Sequence, residues 1–438
     1  MDNKNNVNFK RWSCLNREKK AYSLGNSDIR RWYQRDIDQI THSTCFRKLQ
    51  RKSQLLSEKD PRSRSRLIHT IEVSRIAMEI SEKLGLSKEL TEAICLAHDI
   101  GTSPYGYIGN SFLKKHAKQN FSHEMAGALM LLMISEKPTD DDKYTNEIES
   151  LVEGADFNGK AEIKIPVFPN HLYVSRDIYR KKSSTKDSDV KYYMHHISPE
   201  IIDGVFNHGE TGAPNTLEGQ VVRFADNIAY LSQDIEDLFT TGILESRIYK
   251  SNASKNAHLE LGKQSMSWRD IDSDEMPSLK DAFNENRGRR IAAFVSRFVT
   301  YNLKQLSSNK LKTRSSEILQ EKIPILECDQ GMQFVINYIW DFIEQNYNHP
   351  LIQTSNAIQE EKMEQLWEII SSKRSDFPDK NPSYLKFMEK ANSRSLFKKC
   401  ESEWKIAFFI SHLSWFDVDL ILDSYHERNN TFELDISY

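Results

Sequence analysis

The chain has 438 residues, 38% of them apolar and 28% charged, a soluble globular composition with enough apolar side chains for a large core. A net charge of −3 argues against a dedicated nucleic-acid coat or a basic membrane-binding domain. Cys14, Cys45, Cys95, Cys328 and Cys400 form no CxxC pair, and Met1 to Asn6 lacks the apolar core of a signal peptide, so reduced thiols and a cytoplasmic location are expected.

In chain order, residues 1–25 are polar and read as an N-terminal arm, with Trp12 and Tyr22 as its docking points. Residues 30–56 read as helical. From Arg47 to Arg66 there are eight Lys or Arg against Glu58 and Asp60, a block suited to polyphosphate or to a nucleic-acid backbone. Val73, Ile76, Ala77, Ile80 and Leu84 recur at helical spacing, as do Leu90, Ala93, Ile94 and Ala97, which predicts two apolar helices with Ser87 capping the second. The run Ala126 to Ile134 falls far below the roughly 18 apolar residues that span a bilayer. It is expected to be a buried helix started at Ser122.

Hydrophilic stretches near residues 136–198 read as surface insertions. Helix is predicted again over 200–206 and 220–239. Beyond Arg289, amphipathic runs are expected at 291–303, 332–343, 363–370, 385–388 and 404–421, broken at Asn348 to Pro350 and at Pro378 to Pro382.

Two places carry chemistry. His98 and Asp99 stand side by side among Leu96, Ala97 and Ile100, where burying both is costly without a partner that uses both, and a metal ion is such a partner. On an ideal helix the two point roughly 100° apart, so one ion can hold both only if the helix stops there, which Gly101 and Pro104 predict. Taken alone, the pair reads more readily as a hydrogen-bonded core turn, since Gly after a helix is ordinary. The second place is 217–234, where Asp226, Tyr230 and Asp234 fall at i, i+4 and i+8, a polar stripe opposite Val221, Val222, Ala225, Ile228 and Ala229.

His69, His98-Asp99 and Asp226 together resemble the HD superfamily of metal-dependent phosphohydrolases. Within it, Phe46 to Gln54, Arg64 to His69 and Leu217 to Asp237 look like the deoxyguanosine triphosphate triphosphohydrolase (dGTPase) family, over about residues 25–245. The resemblance implies an all-α fold with an HD-domain helical core at 26–245 and additional C-terminal helices at 246–438. It implies one divalent metal ion on His69, His98, Asp99 and Asp226. Two imidazoles and two carboxylates suit Mn²⁺, Fe²⁺, Co²⁺, Ni²⁺ or Zn²⁺ better than Mg²⁺.

By the same resemblance, deoxynucleoside triphosphates, dGTP first, are split at the α-phosphorus into nucleoside and triphosphate. Arg66 would meet a phosphate and His123 would stand near the phosphates, with His208 approaching from a facing helix; His195 and His196 read as surface residues. Gln54 and Asp234 match the pair that recognises the sugar 3′-hydroxyl, and Tyr230 the tyrosine against C2′, where a ribose hydroxyl would be left unsatisfied. One departure stands out. Tyr107 and Asn110 occupy the places of a histidine and an acidic residue that assist attack, and neither is a good general base near neutral pH.

A second reading is therefore a dNTP-binding sensor with weakened catalysis. A third is another HD phosphohydrolase acting on cyclic or guanosine-tetraphosphate-type nucleotides, disfavoured by Gln54 with Tyr230 and by the lack of a second acidic pair after His98-Asp99. The resemblance also implies a homo-oligomer, an allosteric nucleotide and a role in dNTP pools, with antiviral defence as one use. Helices carrying Trp340, Trp367, Trp404 and Trp415 offer apolar faces for pairing, the basic block offers a place for single-stranded nucleic acid, and no membrane contact is expected.

Overall fold

Among the described residues the apolar periodicity of the sequence resolves into helices. The computed structural model describes residues 32–53, 64–117, 121–134, 197–209, 214–244, 257, 276–284, 286–307, 326–372, 377–392, 400–427 and 433–434. The arm at 1–25, Gln54, the insertion through residue 196 and the pair His195-His196 lie outside them. In order the helices are α1 (Trp32–His42), α2 (Thr44–Lys48), α3 (Arg66–Leu84), α4 (Lys88–Ala97), α5 (Gly106–His116), α6 (His123–Ile134), α7 (Pro199–Phe206) and α8 (Leu217–Thr240). They continue with α9 (Arg287–Ser307), α10 (Gln330–Tyr347), α11 (Pro350–Ser371), α12 (Phe377–Lys380), α13 (Pro382–Asn392), α14 (Ser402–Ser411) and α15 (Trp415–His426). The fold is all-α, and among the described residues the one β-type pairing is an isolated bridge between Ser53 and Ser65.

Local chemistry sets the boundaries. The Ser65 side chain accepts from Ile68 N to start α3, and Gly85, at φ 69°, ends it in the left-handed conformation that glycine adopts without strain. Ser87 caps α4 through Leu90 N, as its position in the sequence predicts, and α4 stops at Ala97. Ser122 accepts from Met125 N at the head of α6. Thr216 caps α8 through Gly219 N.

Several expected runs change shape. The helical stretch 30–56 divides at Ser43, whose hydroxyl accepts from Phe46 N and starts a second helix. The break at Asn348 to Pro350 is a single turn, because Pro350 sits in the first turn of α11, where a missing N–H costs nothing, so 363–370 belongs to a 22-residue helix. The run 404–421 is two helices, separated by a Ser414–Asp417 capping box.

Helices α3, α4 and α8 pack together, with α1 and α7 on α4 and α6 on α7. The C-terminal helices close the same core: α9 lies on α3 and α8, α10 on α8, and α11 on α5. One apolar cluster runs from Val73 and Ile94 through Ile228 to Phe298, Ile336 and Trp404. Two of the tryptophans expected on pairing faces are used inside the chain: Trp404 is fully buried, and Trp340 stacks on Tyr230 at 5.2 Å.

Among the described residues the basic block is also largely spent internally. Lys48 pairs with Asp417 at 3.0 Å, and Arg64 with Glu72, Glu236 and Asp237. Lys52 is 1% exposed, and its ammonium donates to the carbonyls of Ile100 at 3.4 Å, Thr102, and Ser411 at 2.8 Å. Burial pulls the Lys52 pKa down to about 7. Three carbonyl acceptors nevertheless match the three N–H bonds of the charged form, since a neutral amine has only two.

Candidate metal centre

Three helices aim their polar residues at one point. His69 comes from the first turn of α3, His98 and Asp99 from the turn that ends α4, and Asp226 from the middle of α8. His69 Nε2 lies 2.9 Å from Asp226 Oδ1 and 3.7 Å from Asp99 Oδ2. His98 Nε2 lies 3.6 Å and 3.5 Å from the same two oxygens. Both histidines are fully buried and Asp99 is 2% exposed, whereas the Asp226 side chain keeps 26% of its surface.

The proton positions follow from what faces each Nδ1. His69 Nδ1 is 2.8 Å from Gln233 Oε1, whose amide nitrogen donates to Glu72. His98 Nδ1 is 2.7 Å from the Cys95 carbonyl. Each Nδ1 therefore carries a proton, and both Nε2 atoms face the carboxylates, with His69 Nε2 within hydrogen-bond distance of Asp226 Oδ1. The buried His98 Nε2 has no hydrogen-bond partner among the described residues.

Electrostatics point the same way. Burial would raise the Asp99 carboxyl, but Arg66, His98 and His69 hold it well below the usual carboxylate range. Burial opposes charging of His98, yet Asp99 and Asp226 push its pKa up to about 9. Two anionic oxygens and two imidazole nitrogens in a dry site favour a positive charge at their centre, and a donor set with an orphaned imidazole nitrogen fits a divalent ion. Asp99 is further fixed by Thr102 Oγ1, which donates to Oδ1 at 2.7 Å, and by Arg66, which donates to Oδ2 at 2.9 Å.

An aromatic wall adjoins these donors. The edge of Tyr230 meets His69 at 6.3 Å between centroids, and its other side stacks on Trp340 of α10, whose indole N–H donates to Asn227 at 3.0 Å. One turn further along α8, Asp234 Oδ2 accepts from the Tyr347 hydroxyl, while Oδ1 is buried without a donor among the described residues. Burial pushes the Asp234 carboxyl up to about 7 against the opposing Tyr347 bond.

Tyr107 and Asn110, expected in the turn after His98-Asp99, lie on α5 instead; Tyr107 is 70% exposed and Asn110 accepts from Ser103 N at 2.9 Å. Asn110 thus holds the turn in shape. His123 begins α6 and meets His208, which lies just past α7. Sequence reasoning missed Gln233, Thr102, Trp340 and Tyr347 at this site. Gln233 could have been found, since it stands seven residues after Asp226 and so shares its face of α8.

An all-helical core that brings His69, His98-Asp99 and Asp226 to one point is that of an HD domain, and a family model of that description matches residues 66–231. Residues 66–231 are thus similar to HD domains, and about half of the chain is similar to dGTPase-like proteins. A deoxyguanosinetriphosphate triphosphohydrolase-like protein of Caldanaerobacter subterraneus subsp. tengcongensis is 32% identical over 219 residues, 50% of this chain and 49% of the relative. Proteins of the same description from Neorickettsia sennetsu (34% over 215 residues, 48% of each chain) and Clostridium perfringens strain SM101 (29% over 230 residues, 51% and 52%) are similar. The chain spans about half the length of these curated relatives. No helix among the described residues is long and apolar enough to cross a membrane.

Proposed function

We propose that the protein is a metal-dependent phosphohydrolase that splits deoxynucleoside triphosphates, dGTP first, into nucleoside and triphosphate. The observation that carries this reading is the convergence of two Nδ1-protonated, buried imidazoles with Asp99 and Asp226. His69, His98, Asp99 and Asp226 would hold the ion, which when bound supplies an electrophile for phosphoryl oxygens and lowers the pKa of water. The chain's own groups do the rest. Arg66 neutralises charge beside Asp99, while Gln233 and Cys95 O keep both histidines in the tautomer that presents Nε2.

The aromatic wall supports a nucleoside at the other end. Asp234 Oδ1, buried without a donor among the described residues, suits a sugar hydroxyl, and Tyr230, backed by Trp340, suits the face of a deoxyribose. Incubating the Mn²⁺-loaded protein with each dNTP should release inorganic triphosphate from at least one of them. Absence of triphosphate from all four would overturn the reading.

A second reading, a dNTP sensor with weakened catalysis, is favoured by Tyr107 and Asn110. One is largely exposed and the other is spent on Ser103 N, so neither offers an acid or base. Saturable dNTP binding without turnover would select it.

A further inference from the structure

The proton on His69 Nδ1 is dictated by groups outside the donor set, and they form a chain in which each member can bond in one sense only. His69 Nδ1 faces Gln233 Oε1 at 2.8 Å, and Gln233 Nε2 donates to Glu72 Oε2. The other carboxylate oxygen, Glu72 Oε1, accepts from Arg287 and, at 3.4 Å, from Arg64. A guanidinium only donates and a carboxylate only accepts. The Gln233 amide must therefore turn its NH2 toward Glu72, which leaves its carbonyl for His69, and His69 has to donate. Turning the amide over would set its carbonyl against the carboxylate and leave a buried donor unsatisfied.

Burial opposes charge on Glu72, but Arg287, Arg64 and Gln233 hold its carboxyl below the usual carboxylate range. The acceptor at the head of the chain is thus permanent near neutral pH. Its anchors come from separate parts of the sequence. His69 and Glu72 stand three residues apart on one face of α3, and Gln233 is on α8. Arg64 precedes α3 and is held by Glu236 and by Asp237 at 3.2 Å. Arg287 opens α9, beyond the residues 66–231 that resemble an HD domain. One turn on, Arg290 is 1% exposed and donates to the Ser232 carbonyl at 2.7 Å, so α9 grips α8 at the residue before Gln233.

We infer that Glu72 is a positioning residue for the metal centre, anchored by Arg64 and by Arg287 of α9. It sets the Gln233 amide and, through it, the His69 tautomer that presents Nε2 to an ion. The inference rests on the reading of His69 as a metal ligand, and it gives the C-terminal helices a part in the site.

Glu72→Gln keeps the volume and reverses the chain. The carbonyl it retains accepts from Arg287, and the NH2 it introduces faces Gln233. The Gln233 amide then turns over, and His69 accepts at Nδ1 and carries its proton on Nε2. Adding Gln233→Glu restores the original sense, because a carboxylate at that position accepts from both of its neighbours.

Two measurements on the full chain read this. Histidine nitrogen NMR shifts of the metal-free protein, taken where the imidazole is neutral, should place the His69 proton on Nδ1 in the wild type and in the swapped pair, and on Nε2 in Glu72→Gln. Mn²⁺ titration, followed by loss of the free-ion paramagnetic resonance signal, should show affinity weakened by about 10- to 100-fold in Glu72→Gln and recovered in the swapped pair. Arg287→Met should weaken it by about 10-fold, the low end of that range because Arg64 remains, and should have no effect beside Gln233→Leu, which cuts the chain. Its side chain is partly exposed, so it serves if Glu72→Gln is poorly folded by circular dichroism.

An unchanged affinity in either folded variant, or a loss that the swapped pair does not recover, would overturn the inference. So would an effect of Arg287→Met that persists beside Gln233→Leu. A wild type that binds no Mn²⁺ would instead overturn the metal reading, and the nitrogen shifts would still decide whether Glu72 sets the tautomer.

Discussion

Asp226 and Asp234 lie two turns apart on one face of α8, and the helix holds their carboxyls in opposite conditions. Burial acts on both. At Asp226 it is outweighed by His69 and His98, which keep the group well below the usual carboxylate range. At Asp234 it prevails over the Tyr347 bond, and the group is pushed up to about 7. Neighbours rather than residue type decide the outcome: one end of the stripe suits a cation, and the other suits hydroxyl groups.

The largest break in that contrast is Asp226→Ala. Loss of a ligand should weaken binding of the ion held by His69, His98 and Asp226 by more than about 100-fold, beyond what loss of a supporting group costs. Asp234→Ala should leave metal content unchanged. Elemental analysis of the two variants decides it, and equal metal in both would erase the distinction between the two ends of α8.

Next in size is Gln233→Leu, which keeps the volume but removes the acceptor that fixes the His69 tautomer. Metal affinity should fall by about 10- to 100-fold with the circular dichroism spectrum unchanged. An affinity equal to wild type would mean that His69 needs no such support.

At the hydroxyl end, Tyr230→Ala should relax exclusion of ribonucleotides by on the order of 10- to 100-fold while changing triphosphate affinity less. Competition by rNTPs against dNTP binding is the measurement. If rNTPs stay excluded, the wall formed by Tyr230 and Trp340 is not the sugar gate.

The smallest effect is on stability. The Asp234 carboxyl has a raised pKa in the native state, so between about 3.8 and about 7 the unfolded chain releases a proton that the native chain retains. Native stability therefore falls as pH rises through that window, and the cost is complete above it. Asp234→Asn keeps an acceptor for Tyr347 and carries no charge. It should melt about 2–4 °C above wild type at pH 8, with the gap closing near pH 4. A gap that widens toward pH 4 would place Asp234 with Asp226 instead.

The candidate metal ligands His98, Asp99 and Asp226 were legible because each sits where a simple rule applies, whereas His69 entered only through the family resemblance. His98-Asp99 is a polar pair at the end of an apolar helix, and Asp226 opens a stripe at helical spacing. The supporting groups obey no such rule. Cys95 acts through its carbonyl, which every residue has. His208 sits past the end of α7, where no periodicity points its ring at His123. Trp340 and Tyr347 are seven residues apart on α10, so their common face was readable, but that it turns toward Tyr230 and Asp234 depends on how α10 docks on α8. That docking is a property of the assembled core. The breaks between helices were readable to within a turn where Pro or a cap marked them, and missed at Ser43 and Ser414, whose hydroxyls act on backbone three residues ahead.

Lys52 bears on the order in which the molecule is made. Its ammonium joins the carbonyls of Ile100 and Thr102, which flank the Asp99 turn, to Ser411, 359 residues further along the chain. The last candidate metal ligand in the chain is Asp226, but the third acceptor for Lys52 arrives only with α14. Closing so long a loop is slow, and until it closes the buried ammonium lacks one of its carbonyls. The turn that carries Asp99 is thus tied, through Lys52, to a contact that only the C-terminal helices supply.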